Sequence, residues 1–169
     1  MTTHDKHWYA IYTNPRAEKK VAQALQQRGI ECYLPLQTTL KQWSDRKKKV
    51  EEPLFKSYAF VLVNLELDRL TVMSTLGVAK FVRIGGENPT IRPQIIEAIK
   101  LSLANFNDVE VSTDVIATQQ NIRIIAGPLK GYEGIVKEKH GSQYFAIQIA
   151  ELGAELLIKV PSQYLEIIK

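Results

Sequence analysis

Cysteine is nearly absent from this chain of 169 residues: Cys32 stands alone. A lone thiol excludes an internal disulfide and a metal centre built from several cysteines. Its setting, Ile30-Glu31-Cys32-Tyr33-Leu34, reads as a packed strand thiol rather than a reactive one. Histidine is scarce too. His4, His7 and His140 lack HExxH spacing and a nearby cysteine, so no metal site is expected. No apolar run is long enough to span a bilayer, and the N-terminus lacks a signal-peptide pattern. A cytoplasmic protein with no membrane partner is the expectation. An enzymatic constellation is missing as well. Ser44-Asp45-Arg46-Lys47 matches SxxK in form only, because the companion SDN and KTG motifs are absent. The glycines between 127 and 134 lack the GK[ST] of a Walker A loop. They also lead into a strand, so no helix N-terminus awaits a phosphate. A non-enzymatic protein without cofactor is expected.

What is present is the composition of a globular protein, 45% hydrophobic and 24% charged. The formal net charge of +4 is a mild excess, but it is unevenly spread. Lys41 to Lys49 holds five cations, Lys41, Arg46, Lys47, Lys48 and Lys49, against one anion.

Residues 8–13 suit a strand. Asn14 as N-cap and Pro15 at the first helical position predict a helix to about Arg28, stopped by Gly29. Ala17, Val21, Ala24 and Leu25 have the spacing of a core face. Residues 30–43 read as extended around Pro35, and Ser44 to Pro53 as a loop or the tip of a long hairpin. Leu54 to Val63 is the strongest strand signal. A second helix over 66–76 would bury Leu67, Leu70, Met73 and Leu76 before Gly77. Lys80 to Ile84 reads as a strand, and Pro93 opens a third helix to about Phe106, with Ile95, Ile96, Ile99 and Leu103 inward. The order β-α-β-β-α-β-α predicts an α+β fold of ferredoxin-like type over residues 5–106. Residues 107–119 read as a linker. Residues 120–169 hold five short strand signals punctuated by glycine, which suits a small SH3-like β-barrel.

Two surfaces invite function. The cations from Lys41 to Lys49, extended by Arg16 and Lys20 one helical turn apart, suit phosphate contacts. Charge alone does not separate that reading from an ordinary solvated surface. Tyr9, Tyr12, Phe55 and Tyr58 suit either protein-interface anchors or core filling.

Gly127-Pro128-Leu129-Lys130-Gly131-Tyr132-Glu133-Gly134 lies between runs of β-branched residues and reads as strand–turn–strand. It resembles the KOW motif, with Gly127, Pro128, Gly131 and Gly134 as its turn residues. Trp8-Tyr9 lies upstream, followed by Glu52-Pro53-Leu54-Phe55, Tyr58-Ala59-Phe60-Val61 and Phe81-Val82-Arg83. With the ending Val160-Pro161-Ser162-Gln163-Tyr164-Leu165, this order is similar to the NusG/RfaH family of transcription elongation factors. It most resembles the specialised UpxY-type antiterminators of capsular polysaccharide operons.

The resemblance implies a monomer with a NusG N-terminal domain and a KOW barrel. It implies that the first domain binds the clamp helices of RNA polymerase through an apolar patch, to which Tyr12, Phe55 and Tyr58 correspond. Contact with the non-template DNA strand is implied for Lys20 and for Arg46 to Lys48. Asn14, Ala24 and Leu76 replace polar or basic DNA contacts of the family. Asp68-Arg69-Leu70-Thr71 stands where RfaH has the His-Thr-Thr segment of its gate-loop contact. The KOW barrel is implied to recruit a ribosomal protein or the termination factor Rho. In RfaH it can instead fold as a helical hairpin that masks the polymerase site. The function expected is suppression of pausing or termination at particular operons. The alternatives are a general housekeeping NusG role and a ribosome- or RNA-binding KOW protein.

Overall fold

The computed structural model describes residues 5–113, 120–139 and 141–168. The chain divides into two compact units, between Pro93 and Gln94.

The first unit runs β1 (His7–Thr13), α1 (Glu18–Gln27), β2 (Glu31–Tyr33), β3 (Leu36–Gln42), β4 (Lys47–Pro53), β5 (Tyr58–Val63), α2 (Leu65–Met73) and β6 (Val78–Phe81). Its main sheet has the order β2-β5-β1-β6, with antiparallel neighbours. That is the ferredoxin-like order predicted from the sequence. β3 and β4 form a separate two-stranded hairpin inserted between β2 and β5. Strand alternation sorts the sheet residues onto two faces. Tyr9 and Ile11 of β1 join Ala59, Val61 and Val63 of β5 in a core with Val21, Ala22 and Leu25 of α1 and Val72 of α2. Trp8, Ala10 and Tyr12 point the other way, opposite Leu62, Phe60 and Tyr58. Cys32 is packed in the helix-side core, and burial pushes its thiol up to about 12.

Both helices depart from expectation. α1 starts at Glu18, because Asn14 to Ala17 forms a turn closed by Ala17 N–H donating to the Asn14 carbonyl at 3.0 Å. Arg16 sits in that turn at φ 65°, so it is not on the helix with Lys20. The C-terminus agrees with prediction: Gly29 and Ile30 N–H groups donate to Gln26 and Leu25 carbonyls in a Schellman arrangement.

α2 has its leucines on the outside. Asn64 Oδ1 accepts from Glu66 and Leu67 N–H at 3.0 and 3.2 Å, and Asp68 Oδ2 accepts from Asn64 N–H at 3.0 Å. At the other end Arg28 Nη1 donates to the Thr71 carbonyl, Ser74 Oγ and Thr75 Oγ1 at 2.8, 3.1 and 2.8 Å. These bonds hold the Val72–Thr75 side inward, and Leu67, Leu70, Met73 and Leu76 are exposed. The predicted burial of that stripe is thus corrected by a polar anchor from α1.

The second unit comprises α3 (Pro93–Asn105), β7 (Val109–Ser112), β8 (Asn121–Ile124), β9 (Glu133–Lys139), β10 (Ser142–Ile149), β11 (Ala154–Ile158) and β12 (Leu165–Ile167). The sheet order is β12-β8-β9-β10-β11-β7. A meander whose last strand returns to its first is the connectivity expected of an SH3-like barrel. All five predicted strands are present. β7 falls in the stretch read as linker, yet it pairs with β11 from Val109↔Ile158 to Ser112↔Glu155. Residues 114–119 of that stretch lie outside the described residues. α3, read from sequence as the end of the first domain, falls in this unit. Tyr132 hydroxyl donates to the Gln94 carbonyl at 3.0 Å, tying its first turn to the β8–β9 loop.

Candidate functional site

The aromatic candidates separate by strand alternation. Tyr9 lies on the helix side of β1, 8% exposed, with Phe81 edge-on at 6.2 Å between centroids. Phe55 sits in the turn before β5, 4% exposed, with its ring edge-to-face on Phe60 at 5.5 Å. Both are core residues, so neither offers a docking face of its own. Tyr12 and Tyr58 are half-buried cross-strand partners on the opposite face of the sheet. Their ring centroids are 4.8 Å apart, tilted by 44°. Burial, with the neighbouring Tyr12 hydroxyl, pushes Tyr58 up to about 12. Lys80, the β6 partner of Tyr12, holds its Nζ 5.3 Å from the Tyr12 ring centroid. Sequence reading missed Lys80, because the ferredoxin-like order puts β6 beside β1 but does not fix the register that sets Lys80 opposite Tyr12.

The polar floor of this region is also specific. Ser57, at φ 64°, donates its N–H to Glu18 Oε1 at 3.0 Å and accepts from Thr13 N–H at 2.8 Å. Buried Glu18 therefore fixes the strained turn that delivers Tyr58.

Of the two readings for Ser44 to Pro53 the structure has the hairpin: Lys47, Lys48 and Lys49 lie in its return strand β4, and Arg46 at its tip. Trp43 N–H donates to the Arg46 carbonyl at 2.7 Å and closes the hairpin tip. Lys41 forms an ion pair with Glu52, and its hydrogen bond holds the Glu52 carboxyl below the usual range. Lys41 is thereby largely neutralised within the hairpin. Arg46, Lys47, Lys48 and Lys49 are exposed, and among the described residues none of the four forms an ion pair. Lys19 Nζ donates to the Glu51 carbonyl at 2.7 Å, which brings the start of α1 alongside β4. Exposed Lys20 lies on that same helix, and exposed Arg16 in the turn before it. Lys19, another residue not singled out from sequence, thus ties α1 to the base of the hairpin that carries Arg46 to Lys49.

The KOW-like residues serve turn geometry. Gly127 and Gly131 have φ of +84° and +94°, which glycine adopts without the strain a side chain brings. Gly127 lies against the Tyr164 ring, where a Cβ would approach to 3.0 Å. Pro128 leads to fully buried Leu129, and Gly131 N–H donates to the Ile124 carbonyl at 2.8 Å. Gly134 has no room for a side chain, because a Cβ would stand 2.2 Å from the Ala146 carbonyl oxygen.

Among the described residues no group of His, Cys, Asp and Glu is arranged to hold a metal ion, and no helix is long and apolar enough to cross a membrane.

The family model described as transcription termination factor nusG matches residues 6–100, more than half of the chain. The transcription termination/antitermination protein NusG of Lactococcus lactis subsp. lactis is 26% identical over 155 residues, spanning 85% of this chain and 83% of that one. The protein of the same name from Staphylococcus carnosus is 24% identical over 173 residues, 95% of each. A solved structure of Thermotoga maritima NusG is similar in fold, with a TM-score of 0.59 and 23% identity over 98% of each chain. The chain belongs to the NusG family, whose members are non-enzymatic transcription factors that act with RNA polymerase.

Proposed function

We propose that this protein is an operon-specialised antiterminator of the UpxY type, which binds the clamp helices of RNA polymerase and suppresses pausing or termination. The observation that carries this reading is the Tyr12–Tyr58 pair, two touching aromatic rings that remain half-exposed. Large aromatic side chains anchor protein interfaces, because they bury much area at small entropic cost. Phe55 supports the patch from below by packing on Phe60. Arg46 to Lys49, with Lys20 and Arg16, meet the phosphates of the non-template strand. No chemistry is required: binding the elongating state better than the paused state shifts the balance between them. The second unit carries the KOW barrel and recruits a ribosomal protein or Rho.

The experiment is single-round transcription by the cognate polymerase on templates with a pause and a terminator, one carrying the leader of a polysaccharide operon. Added protein should raise read-through on that template, and Tyr12→Ala/Tyr58→Ala should not. Equal action on every template would favour the general role, to which the names of the relatives from L. lactis and S. carnosus point. No effect on any template would defeat both.

A further inference from the structure

Trp43 stands at the tip of the β3–β4 hairpin, 51% exposed, whereas the chain's other tryptophan, Trp8, is 9% exposed. An indole in water forfeits the apolar burial that ordinarily places it inside. Its backbone is fixed rather than loose. Trp43 N–H donates to the Arg46 carbonyl at 2.7 Å, and the Trp43 carbonyl accepts from Gln42 Nε2 at 3.0 Å. Lys48 is the ladder partner of Lys41, and its Nζ lies 5.0 Å from the Trp43 ring centroid. Arg46, whose carbonyl accepts the Trp43 N–H at the tip, and Lys47 and Lys49 of β4 are exposed on the same hairpin.

We infer that Trp43 is a stacking platform for an unpaired base, and that Arg46 to Lys49 hold the phosphates of the same strand. An exposed ring on a hairpin that also carries exposed cations is the combination that binds single-stranded nucleic acid: every base has a π face, and every linkage has a charge. Duplex DNA fits less well, because its base faces are already stacked on one another. An acidic peptide would use the cations and leave the indole idle. The Lys48 contact alone, as an intramolecular clamp, accounts for one cation and leaves Trp43 half exposed. The inference rests on the proposed basic surface, and adds to it the group that tells an unpaired strand from a paired one.

The test uses the full chain, with fluorescein-labelled oligothymidylate, oligouridylate and a duplex followed by anisotropy. Trp43→Ala should weaken single-strand binding roughly 5- to 100-fold, with an unchanged salt slope. Trp43→Phe, which keeps a ring, should stay closer to the wild type. Replacing Lys47 and Lys49 by Gln should flatten the salt dependence instead. In the wild type, single strands should quench the exposed Trp43 emission. The tighter of the DNA and RNA arms identifies the natural strand. Wild-type affinity in Trp43→Ala, duplex bound as tightly as single strand, or no binding of either oligonucleotide would overturn the inference. Polymerase binding by Trp43→Ala, measured in parallel, separates the two readings. Its retention with oligonucleotide binding lost supports the base platform. A wild type that binds oligonucleotide but not polymerase defeats the proposed function and leaves the platform standing.

Discussion

Tyr12 and Tyr58 face each other across β1 and β5 with ring centroids 4.8 Å apart and planes tilted by 44°. Burial first, and the neighbouring Tyr12 hydroxyl second, make the phenol of Tyr58 harder to ionise than an exposed one, pushing it up to about 12 from an ordinary 10. The folded state therefore holds this proton more tightly than the unfolded chain does. The stability it contributes is fully present below pH 10 and is lost as the pH rises from about 10 to about 12. An ultraviolet titration of tyrosinate in wild type and Tyr58→Phe should differ by one phenol titrating well above 10. A missing component titrating at the ordinary value would show that Tyr58 is not buried against Tyr12 in this way.

Gly134 should be the least replaceable residue of the KOW-like loop. Its absent Cβ would stand 2.2 Å from a backbone oxygen of β10 and 2.9 Å from the Phe145 ring, neither of which is a flexible chain end. Gly134→Ala should cost about 3 kcal/mol or more, by overpacking. Gly131→Ala meets open space and pays only the left-handed strain at φ +94°, about 1–2 kcal/mol. Urea unfolding of both variants checks the order. Equal losses would mean that the β9–β10 approach is looser than described.

The outward leucines of α2 give a direct test of helix rotation. Leu70→Ser should change stability by no more than about 0.5 kcal/mol, as for an exposed site, whereas Val72→Ala should cost about 2 kcal/mol. The reverse ranking would restore the face predicted from sequence. That prediction failed for an identifiable reason. Leucines at 67, 70, 73 and 76 follow helical spacing, but spacing alone does not say which stripe the sheet accepts. The deciding contact is Arg28 on Thr71, Ser74 and Thr75, a pairing more than forty residues apart.

Much of the remaining architecture was legible because the signals were local. The aromatic and apolar runs of β1 and β5, Gly29 as a helix stop and the glycine-punctuated strands after 120 needed no distant partner. Tyr9 and Tyr12 are three residues apart in one strand, so alternation already places them on opposite faces, and only Tyr12 can share a surface with Tyr58. Phe55, grouped with the patch by resemblance, is buried because it precedes β5 in a turn that folds it onto Phe60. Lys41 belonged to the basic run by sequence, and its pairing with Glu52 emerges only once the hairpin forms. Lys80 and Lys19 were missed because strand register and helix–hairpin contacts between distant segments, Lys80 opposite Tyr12 and Lys19 on Glu51, are not set by local pattern. The start of α1 was misread because Asn14-Pro15 suits a turn as well as a helix cap, and Arg16 at φ 65° shows that the turn prevailed.

The central claim is that the Tyr12–Tyr58 pair is the polymerase anchor, and binding to cognate core RNA polymerase tests it most directly. Wild type, Tyr12→Ala and Tyr58→Ala should be compared as full chains, with folding checked by circular dichroism. Phe55→Asp is a poor substitute, because it would bury a charge in the core. Each tyrosine variant should bind at least about tenfold more weakly, the loss of an interface hot spot, while remaining folded. Folded variants that bind polymerase as tightly as the wild type would contradict the account.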